Sequence, residues 1–264
     1  MPGLPGSSGN VFIDGLVGAE FDGVIYNYSW LNWGMDNNVT YAFGDIDGHA
    51  WSGEEMVAWQ QAAQQYSNVA NITFTQVTTA QNPEMLESWV DTDTMLQLVG
   101  DTWTGWHYSP YTDLPRNGYY NHERELFDPG QFEQGGYAFR LFMHEIGHGV
   151  GLFHTHGALL FPGVTTSADL GDNSLNQNLY TVMSYNGGVL ESDATYNYGF
   201  VGTLMAFDIA AIQYLYSANM TYMTGDDTYT LPGTTGSGSF FPVFGMRPER
   251  TKYHMLAIWR APSV

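Results

Sequence analysis

The chain has 264 residues and no cysteine, and 27 acidic residues against 7 basic ones give it a formal net charge of −20. Disulfide bonds and thiol catalysis are therefore excluded, and the negative field disfavours nucleic acid and anionic lipid as partners. With 44% hydrophobic residues the chain can bury the core of one domain. No apolar run approaches the roughly 18 residues of a membrane span, so no membrane insertion is expected.

The first segment and the first helix have clear compositional signals. Residues 1–17 are rich in Gly, Pro and Ser and predict a flexible tail or a short pro-segment. A helix is predicted from about 53 to 66, because Ser52 followed by Glu55 three residues later is typical of a capping box. Apolar residues recur there at helical spacing and should face a sheet: Met56, Trp59, Ala63 and Tyr66.

Short strand-like runs flank this helix, at 39–43 before it and at 71–77 and 95–99 after it. Two aromatic stretches, 103–108 and 118–122, are interpreted as strands or sheet edges near a cleft. A peptide can bind by adding to such an edge, and ordinary aromatic packing is the alternative. A last helix is predicted from about 203 to 216. Mixed strands and helices indicate an α+β fold.

The stretch from His144 to His154 reads H-E-I-G-H-G-V-G-L-F-H and fits H-E-x-x-H-x-x-G-x-x-H at every fixed position. On a helix, His144 and His148 lie one turn apart on the same face and can bind one ion. Gly151 tolerates a positive φ, which lets the chain leave the helix and bring His154 to the metal. Zinc accepts three such nitrogens and keeps a position open for water. The pattern therefore predicts a catalytic zinc site.

Glu145 directly follows the first predicted ligand. Its carboxylate is placed to take a proton from a metal-activated water, so it is the predicted general base. The alternative is a buried helix whose histidines only make structural hydrogen bonds. This alternative is disfavoured, because three His, one Glu and one Gly would all have to match the motif by chance. The helix is predicted from near Tyr137 to about Gly151, apolar on most sides and buried inside the domain.

A second marker, Y-T-V-M-S-Y, contains Met183 and Tyr185. Together with the histidine motif, it makes the chain resemble the metzincins and, within them, the serralysin family of secreted bacterial metalloproteases. By this resemblance Met183 lies in a turn beneath the zinc. Tyr185 would be a further zinc ligand that swings away when substrate binds and then stabilises the tetrahedral intermediate. Flanking segments extend the resemblance to roughly residues 20–230: Y-A-F-G-D-I (41–46), N-I-T-F (71–74) and D-I-A-A-I-Q-Y-L-Y (208–216).

The resemblance implies a metzincin-type α+β domain at 18–223, with a twisted mixed sheet, long helices and an active-site cleft between two lobes. It also implies a secreted zinc endopeptidase that acts on protein or peptide substrates; the chain is expected to be a monomer. Two alternatives remain open. One is a pseudoenzyme or peptide-binding module that keeps the fold, and the other is an enzyme with a narrow non-protein or single-peptide substrate.

Some details depart from the serralysin pattern. Proline usually follows the third histidine there, whereas Thr155 and His156 follow here, and His156 is expected on the rim of the site. Residues 224–264 are interpreted as a short C-terminal β-type extension without the G-G-x-G-x-D repeats that bind calcium in serralysins. The sequence leaves open whether those repeats were lost naturally or by truncation. Thr224, Gly225 and Asp226 offer half of a calcium site, so calcium is expected to bind weakly if at all.

Overall fold

A computed structural model describes residues 8–21, 24–27, 37–108, 116–124, 130–157, 159–187 and 199–222. The C-terminal extension predicted at 224–264, with its half calcium site, lies outside these ranges. The predicted boundaries at 17/18 and 223/224 and the cleft between two lobes stay predictions.

The described strands form two sheets. A short antiparallel pair, β1 and β2, precedes a five-stranded sheet in the order β4-β3-β5-β7-β6. Strands β3, β4, β5 and β7 run parallel to one another, and β6 is antiparallel to β7 at one edge. The strands are β1 (Gly18–Phe21), β2 (Val24–Asn27), β3 (Asn38–Asp45), β4 (Thr73–Gln76), β5 (Met85–Val90), β6 (Gly105–His107) and β7 (Arg116–Asn121).

Five α-helices accompany these strands in the described ranges, which confirms the predicted α+β class with a mixed sheet. They are α1 (Val11–Val17), α2 (Gly53–Val69), α3 (Thr92–Val99), α4 (Tyr137–Gly149) and α5 (Ala206–Tyr216). Among the described residues, no helix combines the length and the apolar character needed to cross a membrane.

Helix α2 begins as the sequence predicts. The Ser52 hydroxyl accepts a hydrogen bond from the Glu55 amide at 3.3 Å, and the Glu55 carboxylate accepts one from the Ser52 amide at 2.7 Å. Its inner face buries Trp59 and Tyr66 completely, and the Trp59 ring lies 4.5 Å from that of Tyr41 on β3. The helix therefore covers one face of the main sheet and forms the layer on which α4 packs.

The strand predicted at 95–99 is wrong, because these residues end α3. Signals just outside the apolar run set the helix. The Asp91 carboxylate caps it by accepting from the Thr94 amide at 2.6 Å, and Gly100 ends it at φ +82°. The strands that the sequence did not predict are β1, β2 and β5. In β5 the buried polar residues Glu87 and Ser88 interrupt the apolar pattern.

The flexible tail predicted for residues 1–17 is wrong for residues 11–17, which form α1. The Asn10 side chain caps this helix by accepting from the amides of Phe12 and Ile13 at 3.0 and 3.4 Å. Leu16 and Val17 are fully buried in the main core. The Gly/Pro/Ser bias that suggested a tail ends at residue 9.

Candidate metal centre and active site

Helix α4 carries the first two histidines of the motif and is buried along most of its length. It has no side-chain cap at its N-terminus, so packing rather than capping holds it. Phe139, Phe142, Met143 and Ile146 are fully buried. The Tyr66 hydroxyl of α2 donates to the carbonyl oxygen of Met143 at 2.5 Å, directly before the first motif histidine. The helix therefore presents its motif residues from a rigid support.

The structure brings the three motif histidines together. The Nε2 atom of His154 lies 3.1 Å from that of His144 and 2.9 Å from that of His148. All three ligand atoms lie within 4.8 Å of one another. Four nitrogens arranged tetrahedrally around zinc at about 2.0–2.1 Å would be about 3.3 Å apart. The cluster is therefore close to the geometry of a tetrahedral metal centre.

The other ring nitrogens show that this geometry fits a cation. The Nδ1 atoms of His144 and His148 donate to the carbonyl oxygens of Val182 and Leu152, at 2.7 and 2.8 Å. Neutral imidazole carries one proton, so the Nε2 atoms of both rings present lone pairs toward His154. A cation between the three Nε2 atoms would accept these lone pairs. The donor set thus fits zinc, with the carbonyls fixing the ring orientation.

The surroundings keep these histidines uncharged. Burial lowers the pKa of His148 to about 4 and lowers the pKa of His144 and of His154 well below the usual value. Neighbouring histidines add to the shift in each of the three rings. A metal ligand must be the neutral imidazole, so the site is prepared for binding over most of the accessible pH range.

The chain leaves α4 at the position that the motif predicts. Gly151 has φ +105°, and the Leu152 amide then donates to the carbonyl of Gly147 at 2.8 Å. One residue later, the Phe153 amide donates to the carbonyl of Leu16 in α1 at 2.8 Å. These hydrogen bonds direct the loop so that His154 faces the two helical histidines.

Glu145 is buried beside the histidines, with 4% of its surface exposed. A Cβ atom at Gly105 of β6 would lie 2.7 Å from its Oε1, so the carboxylate lies against the backbone of the edge strand. Burial raises the pKa of Glu145 to about 8, with Arg140 opposing and Glu87 adding to the increase. A carboxyl group with a raised pKa, next to a prospective metal, suits proton transfer.

Met183 lies against α4, and Tyr185 lies beside the histidine cluster. Met183 is fully buried, and a Cβ atom at Gly147 would lie 2.8 Å from its sulfur, so the methionine packs beneath α4. The Tyr185 ring is 4.7 Å from that of His154 and 47% exposed. Burial of the remainder of the side chain raises the pKa of Tyr185 to about 12. Tyr185 therefore borders the histidine cluster from the solvent side and keeps its proton at neutral pH.

His156 was expected on the rim, and the structure shows that it also packs against the site. Its ring stacks on His154 at 4.9 Å with an interplanar angle of 6° and lies 4.6 Å from Tyr185. His156 thus connects the third histidine of the motif to the tyrosine. Sequence reasoning missed this contact, although the departure at 155–156 marked the position.

Two buried networks support the site and were not predicted. The hydroxyls of Thr155 and Ser184 both donate to Oδ1 of Asn176, at 2.5 and 2.7 Å, which joins the loop after His154 to the turn before Tyr185. Arg140, one turn before His144, donates to the Ser184 carbonyl at 2.8 Å. No sequence signal identified Asn176 or Arg140, because neither lies in the motif.

The mixed sheet with its helices and the cluster of three histidines are consistent with a metzincin-type protease domain. No protein-family model matches the chain. Serralysin C from Dickeya chrysanthemi is 30% identical over 89% of this chain and 50% of that protein. Serralysins from Proteus mirabilis and Photorhabdus sp. (strain Az29) are 30% and 28% identical, over 79% and 81% of this chain and 43% and 46% of those proteins. The chain is serralysin-like, and it spans about half the length of the curated relatives it matches.

Proposed function

We propose that this chain is a secreted, zinc-dependent endopeptidase that hydrolyses peptide bonds in proteins or peptides. The observation that carries the proposal is the convergence of the Nε2 atoms of His144, His148 and His154. The relatives named serralysins support the same class of activity. The domain predicted at 18–223 would hold every residue proposed to bind the metal or to take part in catalysis.

In this proposal the three histidines hold zinc and Glu145 moves the proton. Zinc held by these three histidines would supply a Lewis acid that polarises the substrate carbonyl and lowers the pKa of a water molecule. Glu145 takes the proton from the attacking water and returns it to the leaving amine. Its pKa of about 8 belongs to the metal-free site, and a nearby divalent cation favours the ionised carboxylate that a base requires.

Tyr185 is proposed as a further ligand and, once released, as a hydrogen-bond donor to the oxyanion. Its raised pKa of about 12 keeps the phenol protonated at neutral pH, which is the form that donates. Its partial exposure leaves the ring free to move while His154 and His156 border it on one side.

The edge strand β6 supports a peptide as the substrate. The Asn121 amide donates to the Thr104 carbonyl and the Tyr108 amide donates to the Asn117 carbonyl. In an antiparallel pair this alternation turns the main-chain groups of Gly105 and His107 toward the other edge. No described strand pairs with that edge. An extended peptide can add there beside Glu145, as peptides commonly add to sheet edges.

Metal content and hydrolysis, measured on the same preparation, test the proposal. We expect one zinc per chain and cleavage of casein by the wild type. Glu145→Ala should keep zinc and lose turnover by about 10²–10⁴-fold, because it lacks the proton carrier. Zinc binding without hydrolysis in the wild type would favour the pseudoenzyme instead. Secretion is tested by comparing the chain in cells and in medium of the producing culture.

A further inference from the structure

A buried ionisable pair, Glu87 and His107, lies between the main sheet and the C-terminal end of α4. The Nε2 atom of His107 on β6 is 3.0 Å from Oε1 of Glu87 on β5, and both side chains are fully buried. Strand β7 runs between β5 and β6, and Glu87 and His107 are both paired with the same residue of β7, Gly118. The two side chains therefore meet across an intervening strand.

Two glycines make room for this contact. A Cβ atom at Gly118 would overlap the Glu87 carboxylate and lie 2.8 Å from Cδ2 of His107. A Cβ atom at Gly149, the last residue of α4, would lie 2.5 Å from Cε1 of the same ring. The imidazole of His107 is thus pressed between the sheet and the end of the helix that carries His148.

The pair has hydrogen-bond partners on every polar atom. Nδ1 of His107 donates to the carbonyl of Tyr108 at 2.9 Å. Oε2 of Glu87 accepts from the Tyr120 hydroxyl at 2.9 Å and from Trp59 Nε1 at 3.2 Å. A buried ionisable pair is tolerated only when its remaining polar atoms are satisfied, and such a network favours a single arrangement. The network therefore fixes the position of β6 relative to β5 and α4.

The position of β6 matters because this strand also contacts Glu145. Gly105, two residues before His107, is the residue whose Cβ would lie 2.7 Å from the Glu145 carboxylate. Strand β6 has three residues and pairs only with β7 among the described strands. A strand this short has few hydrogen bonds to hold it, so the buried pair is a substantial part of its attachment.

We propose that Glu87 and His107 are positioning residues that hold β6 in the register and at the distance from Glu145 that a bound peptide needs. This inference rests on the proposed function and on peptide addition at the free edge of β6. Loss of the pair should weaken the binding of extended peptides that cover the strand. Cleavage of short peptides, which make few main-chain contacts with the strand, should change little.

The test compares variants that break the pair with one that keeps it. Glu87→Met leaves His107 without its partner, and His107→Phe serves the same purpose where Glu87→Met does not fold. Glu87→Gln can still donate to a neutral His107 and accept from Tyr120. Glu84→Met is the matched control, because it removes a carboxylate that pairs with Arg116 at 2.9 Å next to the start of β5, away from β6.

Two readouts are measured on each zinc-loaded variant. The first is kcat and KM for a decapeptide and for a tetrapeptide amide that share one casein cleavage site. The second is the hydrogen exchange of amides in residues 104–108. Glu87→Met and His107→Phe should raise KM for the decapeptide on the order of tenfold with little change in kcat, and should speed exchange in this segment. Glu87→Gln should restore both readouts, and Glu84→Met should change neither.

The outcomes separate this inference from the proposed function. A wild type that binds zinc but cleaves no peptide overturns the proposed function, and the positioning role fails with it. If the wild type is active and both peptides respond equally, or if Glu84→Met reproduces the effect, only the positioning role is overturned. Faster exchange without a change in KM would make the pair purely structural and would also overturn it.

Discussion

The Nδ1 atom of His144 donates a hydrogen bond to the carbonyl oxygen of Val182 at 2.7 Å. The amide of the same Val182 donates to Oδ2 of Asp208 at 2.8 Å, and the Thr181 hydroxyl donates to its Oδ1 at 2.6 Å. Asp208 lies in the first turn of α5 and is fully buried. The first predicted metal ligand is therefore held by a helix that is distant in sequence and contributes no ligand.

Replacement of Asp208 by alanine should weaken both stability and metal binding. It leaves three buried donors without an acceptor, including the Met205 amide at 2.9 Å, and each costs about 1–3 kcal/mol. A misplaced Val182 carbonyl should reduce zinc affinity about 10–100-fold. Urea unfolding and competition with a chelator measure the two effects. Asp169→Ala is the control, because partly exposed Asp169 also accepts three hydrogen bonds, from Thr165 and Thr166. Equal losses in both variants would contradict the prediction.

Asp208 also predicts a pH dependence of stability. Burial raises the pKa of Asp208 to about 6, against hydrogen bonds that lower it. Between pH of about 4 and 6 the folded chain binds a proton that the unfolded chain has released, so stability falls as pH rises through this window. The loss amounts to about 3 kcal/mol at most. Urea unfolding of the metal-free wild type and Asp208→Asn at pH 4 to 7 should show this difference. If the free energies of unfolding of the two proteins change with pH in the same way, the prediction is wrong.

Gly105→Ala should damage catalysis while leaving the metal in place. The new methyl group would lie 2.7 Å from Oε1 of Glu145 and push the carboxylate from its position. A displaced base should reduce kcat on the order of 10²-fold, with zinc stoichiometry near one. Gly53→Ala at the start of α2 is the control, since nothing lies within 4 Å of its added atom. Unchanged turnover in Gly105→Ala would show that Glu145 has room to adapt.

Tyr185→Phe should separate transition-state stabilisation from metal binding. Three histidines remain to hold zinc, whereas the hydroxyl that donates to the oxyanion is lost. We expect full zinc content and a decrease in kcat of about 10²–10³-fold, larger than any change in KM. Loss of zinc, with full activity when zinc is resupplied, would assign Tyr185 a structural role only.

His156 should act on turnover through its contact with Tyr185. His156→Ala removes the ring that stacks on His154 and borders Tyr185, and an aromatic contact of this kind contributes about 0.5–1.5 kcal/mol. We expect kcat to fall about threefold to tenfold, while His156→Phe stays near the wild type. His49→Ala removes a comparable stack, on His122 at 4.1 Å, elsewhere on the surface and serves as the control.

The sequence predicted the parts of the site that follow from local geometry. The spacing of His144 and His148, the positive φ at Gly151 and the helix around them depend on a few adjacent residues, and the structure shows each of them. The capping box of α2 is equally local and is confirmed. Local rules are sufficient there because the partners lie within one or two turns of each other.

The contacts that sequence reasoning missed join residues far apart in the chain. Glu87 and His107 meet only because the strand register places both opposite Gly118. Asp208 reaches Val182 across 26 residues. At 95–99 the apolar run predicts a strand, whereas the signals that decide for a helix, Asp91 and Gly100, lie outside that run. Register, helix docking and distant caps depend on the tertiary fold and leave little trace in a local pattern.

The hydrogen bond from the Phe153 amide to the Leu16 carbonyl makes the N-terminal segment part of the scaffold of the metal centre. A shortened version that starts at residue 18, the predicted domain boundary, would lose this acceptor immediately before His154. It would also expose to solvent the part of the apolar core that Leu16 and Val17 now cover. Proteolytic trimming in this region would therefore inactivate the site although it removes none of the predicted metal ligands. A trimmed catalytic fragment should keep the Asn10 cap and everything after it.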